Sequence, residues 1–598
     1  MNLKNNLSLN LGKYQKSVDM RLKKMQEQNF SKRLWKKDES LWNKENLQHE
    51  ISTISLGWLT AVDQMLAALP LLEEFCKSNS LTEYKHIVVL GMGGSSMAPM
   101  VFQKTFANLN KSIPLIILDT TEPQMILKIE NEINISKTLF IVASKSGNTA
   151  EVLAFYDYFF SKVYQIKEER AGENFIVITD EGSPLIGLAK RKKFRKIFLN
   201  FPEIGGRYSA LSYFGIVPAA LMGVNVRELL KRTQLMIRSC GPDIPEFENP
   251  GVILGAAIAE LAIQGCDKLN YLMPSEFSTF GLWLEQLLAE STGKNGRGIL
   301  PVNGNPLTDL NCYGPDSLFL SMSFSKNKIK NHSKKNNDLI ATKFPLINIK
   351  IQNELDLGQE FFRWEIATAA AGSILGVNPF DQPNVQESKI YTNQLLKKIE
   401  QHGKLPVMQT ALTENSLRYF TSQKDKYLVD DKANGKLLLE NFFALTKPGD
   451  YIALLGYLPE EPEIEKSFSE IRNNLQKRLR VPVTTQFGPR YLHSTGQYHK
   501  GGPNTGYFIQ FICNSTDCVQ IPEQVYTFDL LKKAQALGDM QALIEHDRKI
   551  ILIDLGNDFL TGLNTFNQVI KKIEPIKKPT NKKVFLTTNK NEKTLELV

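Results

Sequence analysis

Short runs rich in Val and Ile alternate with longer amphipathic segments in the first half of the chain, and this alternation limits the fold more than any other feature. The runs are IVVLGM at 87–92, PLIILD at 114–119, TLFIVAS at 138–144 and NFIVITD at 174–180, with helix-like segments such as 149–163 between them. Continuous apolar runs are typical of strands buried on both faces of a parallel sheet. The pattern predicts an α/β fold whose parallel sheet is covered by helices on both sides.

The alternation continues toward the C-terminus and predicts several units in one chain of 598 residues. We expect a charged, helical N-terminal arm over 1–50, followed by two doubly wound, three-layer α/β/α domains over 51–225 and 226–404. A smaller C-terminal α/β subdomain is predicted over 405–570. A basic tail, 571–598, ends the chain.

Composition excludes several classes of protein. The formal net charge is +9, in scattered basic runs without interleaved aromatic residues, which argues against nucleic-acid binding and suits an anionic substrate. Six dispersed cysteines without a CxxC pair argue against a disulfide framework and against zinc. No segment has the length of a membrane span or the apolar core of a signal peptide, so we expect a cytoplasmic protein with no membrane contact.

A glycine-rich turn follows the first predicted strand. In GMGGSS, at 91–96, a turn of this kind between strand and helix is suited to a phosphate. The first two glycines match a dinucleotide fingerprint, and Asp119 ends the next strand, where a ribose-binding carboxylate would stand. Ser96 occupies the position of the third glycine, so this motif alone leaves nucleotide and sugar phosphate open.

A second polar turn follows the strand TLFIVA. It places Ser144, Lys145, Ser146 and Thr149 at a strand-to-helix junction. Hydroxyls, backbone N–H groups and a helix N-terminus converge there, which favours a phosphate dianion. Helix capping would explain one hydroxyl, but not four polar groups in six residues. The turn therefore predicts a monophosphate site, with Gly94 and Ser95 as its neighbouring wall.

Five motifs in order resemble the glucose-6-phosphate isomerase family of SIS-type phosphosugar isomerases. They are GMGGSS, SKSGNT, GGRYSALS at 205–212, AESTGKNG at 289–296 and FDQPNVQESK at 380–389. The resemblance implies two phosphosugar-binding domains and reversible interconversion of D-glucose 6-phosphate and D-fructose 6-phosphate. That reaction opens the sugar ring and transfers a proton through a cis-enediol, and it needs no metal or organic cofactor.

The resemblance is strongest to the isomerase half of bifunctional transaldolase–isomerase proteins, on the stretches LGKYQKSVD near the start and HSTGQYHKGGPNTG at 493–506. We expect this sequence to lack the transaldolase half. Two partners follow as hypotheses: a second copy of the chain, and a separate transaldolase chain.

The same resemblance assigns roles to individual residues. Glu290 would be the base that moves the proton, and Arg207 would stabilise the enediolate. Gln382 would hydrogen-bond sugar hydroxyls or backbone, and Lys389 would act in ring opening.

One expected residue is missing. The family carries a histidine for ring opening between the base and the lysine, but Asp316 stands at that place here. His493 and His499, in the glycine-rich stretch 493–506, could replace it. We favour His499, because the two glycines after Lys500 would let the backbone approach a ligand closely.

Three rival functions remain open. The chain could isomerise a different sugar phosphate, such as mannose 6-phosphate or an amino sugar phosphate. It could be a non-catalytic sugar-phosphate sensor, although Glu290 and Arg207 are both present. A nucleotide-dependent oxidoreductase is disfavoured by Ser96 and by the second hydroxyl-rich turn.

Overall fold

The structure is a computed structural model, and its strands form three sheets. It describes residues 6–42, 55–78, 81–109, 113–304, 309–324, 340–406, 408–422, 428, 434–515 and 517–575. The strands are β1 (Leu7–Asn10), β2 (His86–Gly91), β3 (Leu115–Leu118), β4 (Thr138–Ala143), β5 (Phe175–Thr179), β6 (Lys196–Leu199), β7 (Lys268–Leu272), β8 (Leu300–Val302), β9 (Ser317–Phe324), β10 (Leu346–Ile351), β11 (Leu412–Glu414), β12 (Leu417–Thr421), β13 (Tyr451–Tyr457), β14 (Val483–Phe487), β15 (Gly506–Ile512) and β16 (Lys549–Asp554).

The helices separate the strands as the sequence pattern predicts. They are α1 (Gln15–Glu27), α2 (Phe30–Trp35), α3 (Ala61–Lys77), α4 (Gly94–Thr105), α5 (Pro123–Glu132), α6 (Ala150–Lys167), α7 (Pro184–Arg191), α8 (Tyr213–Leu221), α9 (Val226–Ser239), α10 (Pro250–Ile263), α11 (Ser278–Thr292), α12 (Leu357–Leu375), α13 (Val385–His402), α14 (Gly435–Phe443), α15 (Pro462–Leu479), α16 (Gly496–Gly501), α17 (Phe528–Glu545) and α18 (Phe559–Lys572). Two single-turn 3-10 helices matter below, Gly206–Tyr208 and Arg490–His493.

The first sheet has the order β3-β2-β4-β5-β6 and is parallel throughout. Alternate residues of β2 enter two different cores: Ile87 and Val89 pack in one, Val88 and Leu90 in the other. This explains the uninterrupted apolar runs and confirms the doubly wound α/β class. Chain order reverses between β2 and β4, so the turns after these strands meet at the edge where such sheets bind ligands.

The second sheet has the order β1-β10-β9-β7-β8 and includes one strand, β1, from the N-terminal arm. Strands β7 to β10 are parallel, whereas β1 pairs antiparallel with β10, Leu7 opposite Ile349. The N-terminal arm therefore contains helices α1 and α2, as predicted, and also supplies an edge strand. A helix-only arm was the wrong expectation for its first residues.

The third sheet has the order β11-β12-β16-β15-β13-β14 and belongs to the C-terminal unit. Strands β13 to β16 are parallel, and the hairpin β11–β12 adds antiparallel to β16. Helix α17 of this unit packs on the first unit, where Phe528 stacks on Phe155 with ring centroids 6.1 Å apart. Residues 576–598 of the predicted basic tail lie outside the described residues. No helix in the described part of the chain is long and apolar enough to cross a bilayer.

Candidate active site

All three units contribute to one cavity of about 530 Å³ at the switch point of the first sheet. It lies at the turns that follow β2 and β4, and seven parts of the chain line it. Their lining residues are Met92–Ser95; Lys145, Ser146 and Thr149; Asp180–Ser183; Gly206 and Arg207; Gln286 and Glu290; Gln382, Gln386 and Lys389; and His493. Nine of the eleven site residues predicted from the sequence are among them.

Of the four polar residues predicted in the turn after β4, three line the cavity and one does not. Lys145, Ser146 and Thr149 line the cavity, and Thr149 is the N-cap of α6. Ser144 does not line it: its buried hydroxyl accepts from the Gly147 N–H at 3.1 Å and lies 2.9 Å from the Thr149 hydroxyl. Ser144 therefore shapes the turn, whereas its neighbours face the cavity.

Lys145, the lysine of this turn, forms an ion pair with Asp180. Lys145 Nζ lies 3.1 Å from Asp180 Oδ2, at the cavity wall. Burial raises the pKa of the Asp180 carboxyl, and Lys145 opposes that rise without cancelling it. An incoming anion would have to compete with Asp180 for Lys145.

The glycines of the first turn allow two backbone segments to touch. A Cβ on Gly94 would lie 1.9 Å from the carbonyl oxygen of Gly206. Gly93 has φ +55°, a left-handed conformation that favours glycine. The buried Ser96 hydroxyl donates to the Gly93 carbonyl, so it stabilises the turn from within.

A buried ion pair joins the predicted base and the predicted cation. Arg207 Nη1 lies 3.2 Å from Glu290 Oε1, and their side chains are 2% and 10% exposed. Arg207 also donates to the Ser291 hydroxyl, the Gln382 side chain and the carbonyls of Pro379 and Asp381, at 2.6–2.9 Å. The guanidinium is thus fixed in orientation while it lines the cavity.

Gln286 binds the other carboxylate oxygen of Glu290 and was not predicted. Its Nε2 donates to Glu290 Oε2 at 3.2 Å and to the His493 carbonyl at 2.9 Å. Both residues lie on α11, four positions apart, and therefore share one face of the helix. That spacing in the sequence could have identified Gln286.

Gln382 and Lys389, the two remaining residues implied by the resemblance, line the cavity. Gln382 accepts from Arg207 at 2.9 Å through Oε1. Lys389 is exposed in the second turn of α13 and lines the cavity.

The structure corrects the choice between the two histidines. His499 is 1% exposed and does not line the cavity: its Nδ1 lies 2.9 Å from the Tyr451 hydroxyl and its Nε2 lies 3.1 Å from Gln486 Oε1. Burial lowers the pKa of His499 well below its ordinary value. His499 is therefore a buried polar residue inside the third unit, and His493 is the histidine at the cavity.

His493 reaches across to the first unit. Its Nε2 lies 3.1 Å from Glu151 Oε1, and Gln535 Nε2 donates to the same oxygen at 2.7 Å. Burial favours a higher pKa for Glu151, but the charge and hydrogen bond of His493 outweigh it and lower the pKa. Glu151 was missed because its partner lies 342 residues away in sequence.

Two acids considered from the sequence have other roles. Asp119 accepts two hydrogen bonds from Arg490, at 2.7 and 2.8 Å, and is 1% exposed, so it does not present itself to a ribose. Asp316 is buried away from the cavity, and burial raises the pKa of its carboxyl. Asp316 thus does not replace the family histidine at this site.

Comparison with known proteins gives consistent matches. Residues 61–298 match the family model described as phosphoglucose isomerase. A probable glucose-6-phosphate isomerase from Methanococcus maripaludis is 29% identical over 379 residues, covering 57% of this chain and 84% of the relative. A glucose-6-phosphate isomerase from Campylobacter jejuni is 25% identical over 397 residues, covering 58% and 94%. A hypothetical protein from Thermus thermophilus shares the fold, with a TM-score of 0.54 at 22% identity over 65% of this chain and 99% of that one.

The fold and the cavity define a doubly wound α/β protein with a polar cavity at the switch point of its first sheet. Over residues 61–298, about two fifths of its length, the chain matches the phosphoglucose isomerase family. The family match ends at residue 298, so Gln382, Lys389 and the whole third unit with His493 lie beyond it.

Proposed function

We propose that this protein interconverts D-glucose 6-phosphate and D-fructose 6-phosphate at the cavity described above. The observation that carries the proposal is the Glu290–Arg207 pair, which lies in the same cavity as the hydroxyl-rich turn 144–149. A carboxylate beside a fixed cation can move a proton between adjacent carbons while charge develops on oxygen.

The phosphate is bound at the turn after β4. Lys145, Ser146 and Thr149 supply a cation and two hydroxyls, and the N-terminus of α6 adds free backbone N–H groups. Anchoring the phosphate there leaves the sugar carbons to extend toward Glu290 and Arg207.

Glu290 removes the proton from C2 of the open aldose and returns it to C1. A proton passes from the C2 hydroxyl to the C1 oxygen in the same conversion, so aldose and ketose balance. Arg207 stabilises the negative charge on the enediolate oxygens, and Gln286 keeps the second carboxylate oxygen in place.

Ring opening needs an acid–base group at the ring oxygen and the C1 hydroxyl, and His493 with Lys389 fill this role. Because Glu151 is held in its ionised form, Nε2 of His493 carries the proton of that hydrogen bond. Nδ1 is then the ring nitrogen that exchanges a proton with the sugar.

The first test separates the two chemical steps. Glu290→Gln should reduce conversion of fructose 6-phosphate, read through a coupled dehydrogenase, by about a hundredfold or more. Exchange between the α and β anomers of glucose 6-phosphate, measured by NMR magnetisation exchange, requires ring opening alone and should persist. Binding of fructose 6-phosphate by a wild type without turnover would instead indicate a sensor.

The second test concerns the histidines. His493→Ala should slow anomer exchange by about a hundredfold, whereas His499→Asn, a matched change at a buried site, should lower the melting temperature and leave anomer exchange within a small factor. Equal loss in both variants would contradict the role of His493. A cytoplasmic location, a homodimer and a separate transaldolase partner stay predictions from the sequence.

A further inference from the structure

A buried ion pair joins the first and third units next to the cavity, and the proposed chemistry does not use it. Asp119 follows β3 in the first unit, and Arg490 begins the 3-10 helix Arg490–His493 in the third. Arg490 Nε donates to Asp119 Oδ2 at 2.8 Å and Nη2 to Oδ1 at 2.7 Å. The side chains are 11% and 2% exposed. This is a two-pronged arginine–carboxylate contact, which fixes orientation as well as distance.

A second carboxylate from the third unit reinforces the same arginine. Glu460 Oε1 accepts from Arg490 Nη1 at 2.9 Å, and Glu460 Oε2 lies 2.6 Å from Nη2. Burial lowers the pKa of Arg490, but the two carboxylates more than offset this and raise it well above its ordinary value. The guanidinium is therefore held between two elements of different units.

The position of this arginine determines where His493 lies. Arg490 and His493 are the first and last residues of one 3-10 turn, so the backbone between them has little freedom. The His493 side chain contacts Glu151, and its carbonyl accepts from Gln286, which also holds Glu290. A shift of the turn would therefore displace His493, the proposed ring-opening histidine.

We propose that Asp119 and Arg490 are positioning residues, whose ion pair holds the turn 490–493 so that His493 can open the sugar ring. The inference rests on the proposed function, because it assigns the ion pair to one step of that reaction. It gives the third unit a catalytic purpose: the unit supplies His493, and Asp119 fixes where the unit sits.

A nearby ion pair provides a matched control. Lys532 Nζ lies 2.7 Å from Glu122 Oε2, with side chains 0% and 1% exposed, and also joins the third unit to the first. Lys532 belongs to α17, not to the turn that carries His493. Asp119→Asn and Glu122→Gln each neutralise one buried carboxylate of the same boundary without changing its shape.

The experiment compares two measurements in each variant. Anomer exchange of glucose 6-phosphate reports ring opening, and the affinity for D-glucitol 6-phosphate, an open-chain polyol that cannot cyclise, reports the intact cavity. Asp119→Asn should slow anomer exchange by about tenfold or more and change that affinity by less than about twofold. Glu122→Gln should lower the melting temperature and leave both quantities near wild type. Arg490→Lys keeps the positive charge but loses the two-pronged hydrogen bonding to Asp119, so it should behave as Asp119→Asn does. It takes the place of Asp119→Asn in the comparison if that variant does not fold.

Other outcomes overturn the inference. Equal losses of exchange and affinity in Asp119→Asn would mean that the ion pair only holds the units together. Unchanged exchange, or the same selective loss in Glu122→Gln, would remove the special role of Asp119. A wild type that neither exchanges anomers nor converts fructose 6-phosphate would overturn the proposed function itself, a result distinct from these.

Discussion

Lys294 shows how one buried residue supports the site without touching the cavity. Its ammonium group lies 2.8 Å from Asp381 Oδ1 and also contacts the Asn378 carbonyl, and its side chain is 4% exposed. The loop that it holds provides the carbonyls of Pro379 and Asp381 to Arg207. Burial and the charge of Arg207 lower the pKa of Lys294 to about 7, against the opposing effect of Asp381.

This lowered pKa predicts a pH dependence of stability. Between pH 7 and about 10 the unfolded chain binds a proton at Lys294 that the folded chain does not, so this residue makes folding more favourable as pH rises, by up to about 1.4 kcal/mol per pH unit. Urea unfolding of the wild type and of Lys294→Met at several pH values measures it. The wild type should gain stability over the variant with rising pH, and a constant difference would contradict the assignment.

Individual residues differ in how far the sequence could predict them. Glu290 and Arg207 stand in motifs whose order along the chain carries the family resemblance, and the structure brings both to one cavity. His493 and His499 stand in one glycine-rich stretch, six residues apart, and nothing local separates them. The choice depends on contacts with Glu151 and Gln486, which exist only after the units have packed.

At the scale of an element, the turn between β4 and α6 contains one residue that holds its shape and others that line the cavity. Ser144→Ala removes the hydroxyl that accepts from Gly147 and bonds Thr149, so we expect the turn to loosen. The KM for fructose 6-phosphate should rise by up to about tenfold, since a hydrogen bond contributes about 0.5–1.5 kcal/mol, with kcat little changed. The melting temperature should fall as well.

Ser146→Ala is the matched variant for this turn, because the Ser146 hydroxyl is exposed at the cavity. It should weaken competitive inhibition by inorganic phosphate without lowering the melting temperature. An unchanged KM and melting temperature in Ser144→Ala would show that its two hydrogen bonds do not hold the turn.

Elements were predictable where their signal is local. The four apolar runs of the first sheet became β2 to β5, because strands buried on both faces need apolar residues throughout. The edge strand β1 has the sequence LSLN, too short to indicate a strand, and its partner β10 lies more than three hundred residues away. Pairing over that distance leaves no pattern in the sequence.

At the scale of the molecule, the docking of the third unit depends on buried polar pairs that cannot be recognised in the sequence. Asp119–Arg490, Glu122–Lys532 and Glu151–His493 all join residues more than three hundred positions apart. Charged residues are seldom buried unless paired, so each would be read from sequence as solvated. Together they place the third unit over the carboxyl edge of the first sheet.

This docking predicts that one chain carries a complete site. Glu290, Arg207, the turn after β4, Lys389 and His493 all line one cavity, and His493 is supplied by the chain's own third unit. We therefore expect activity per chain to stay constant on dilution, even if the chain dimerises. Coupled assays over a dilution series, with the mass of the species measured by light scattering, test this. A fall in activity that follows dissociation of a dimer would mean that the second copy completes or stabilises the site, and would contradict a catalytic unit built from one chain.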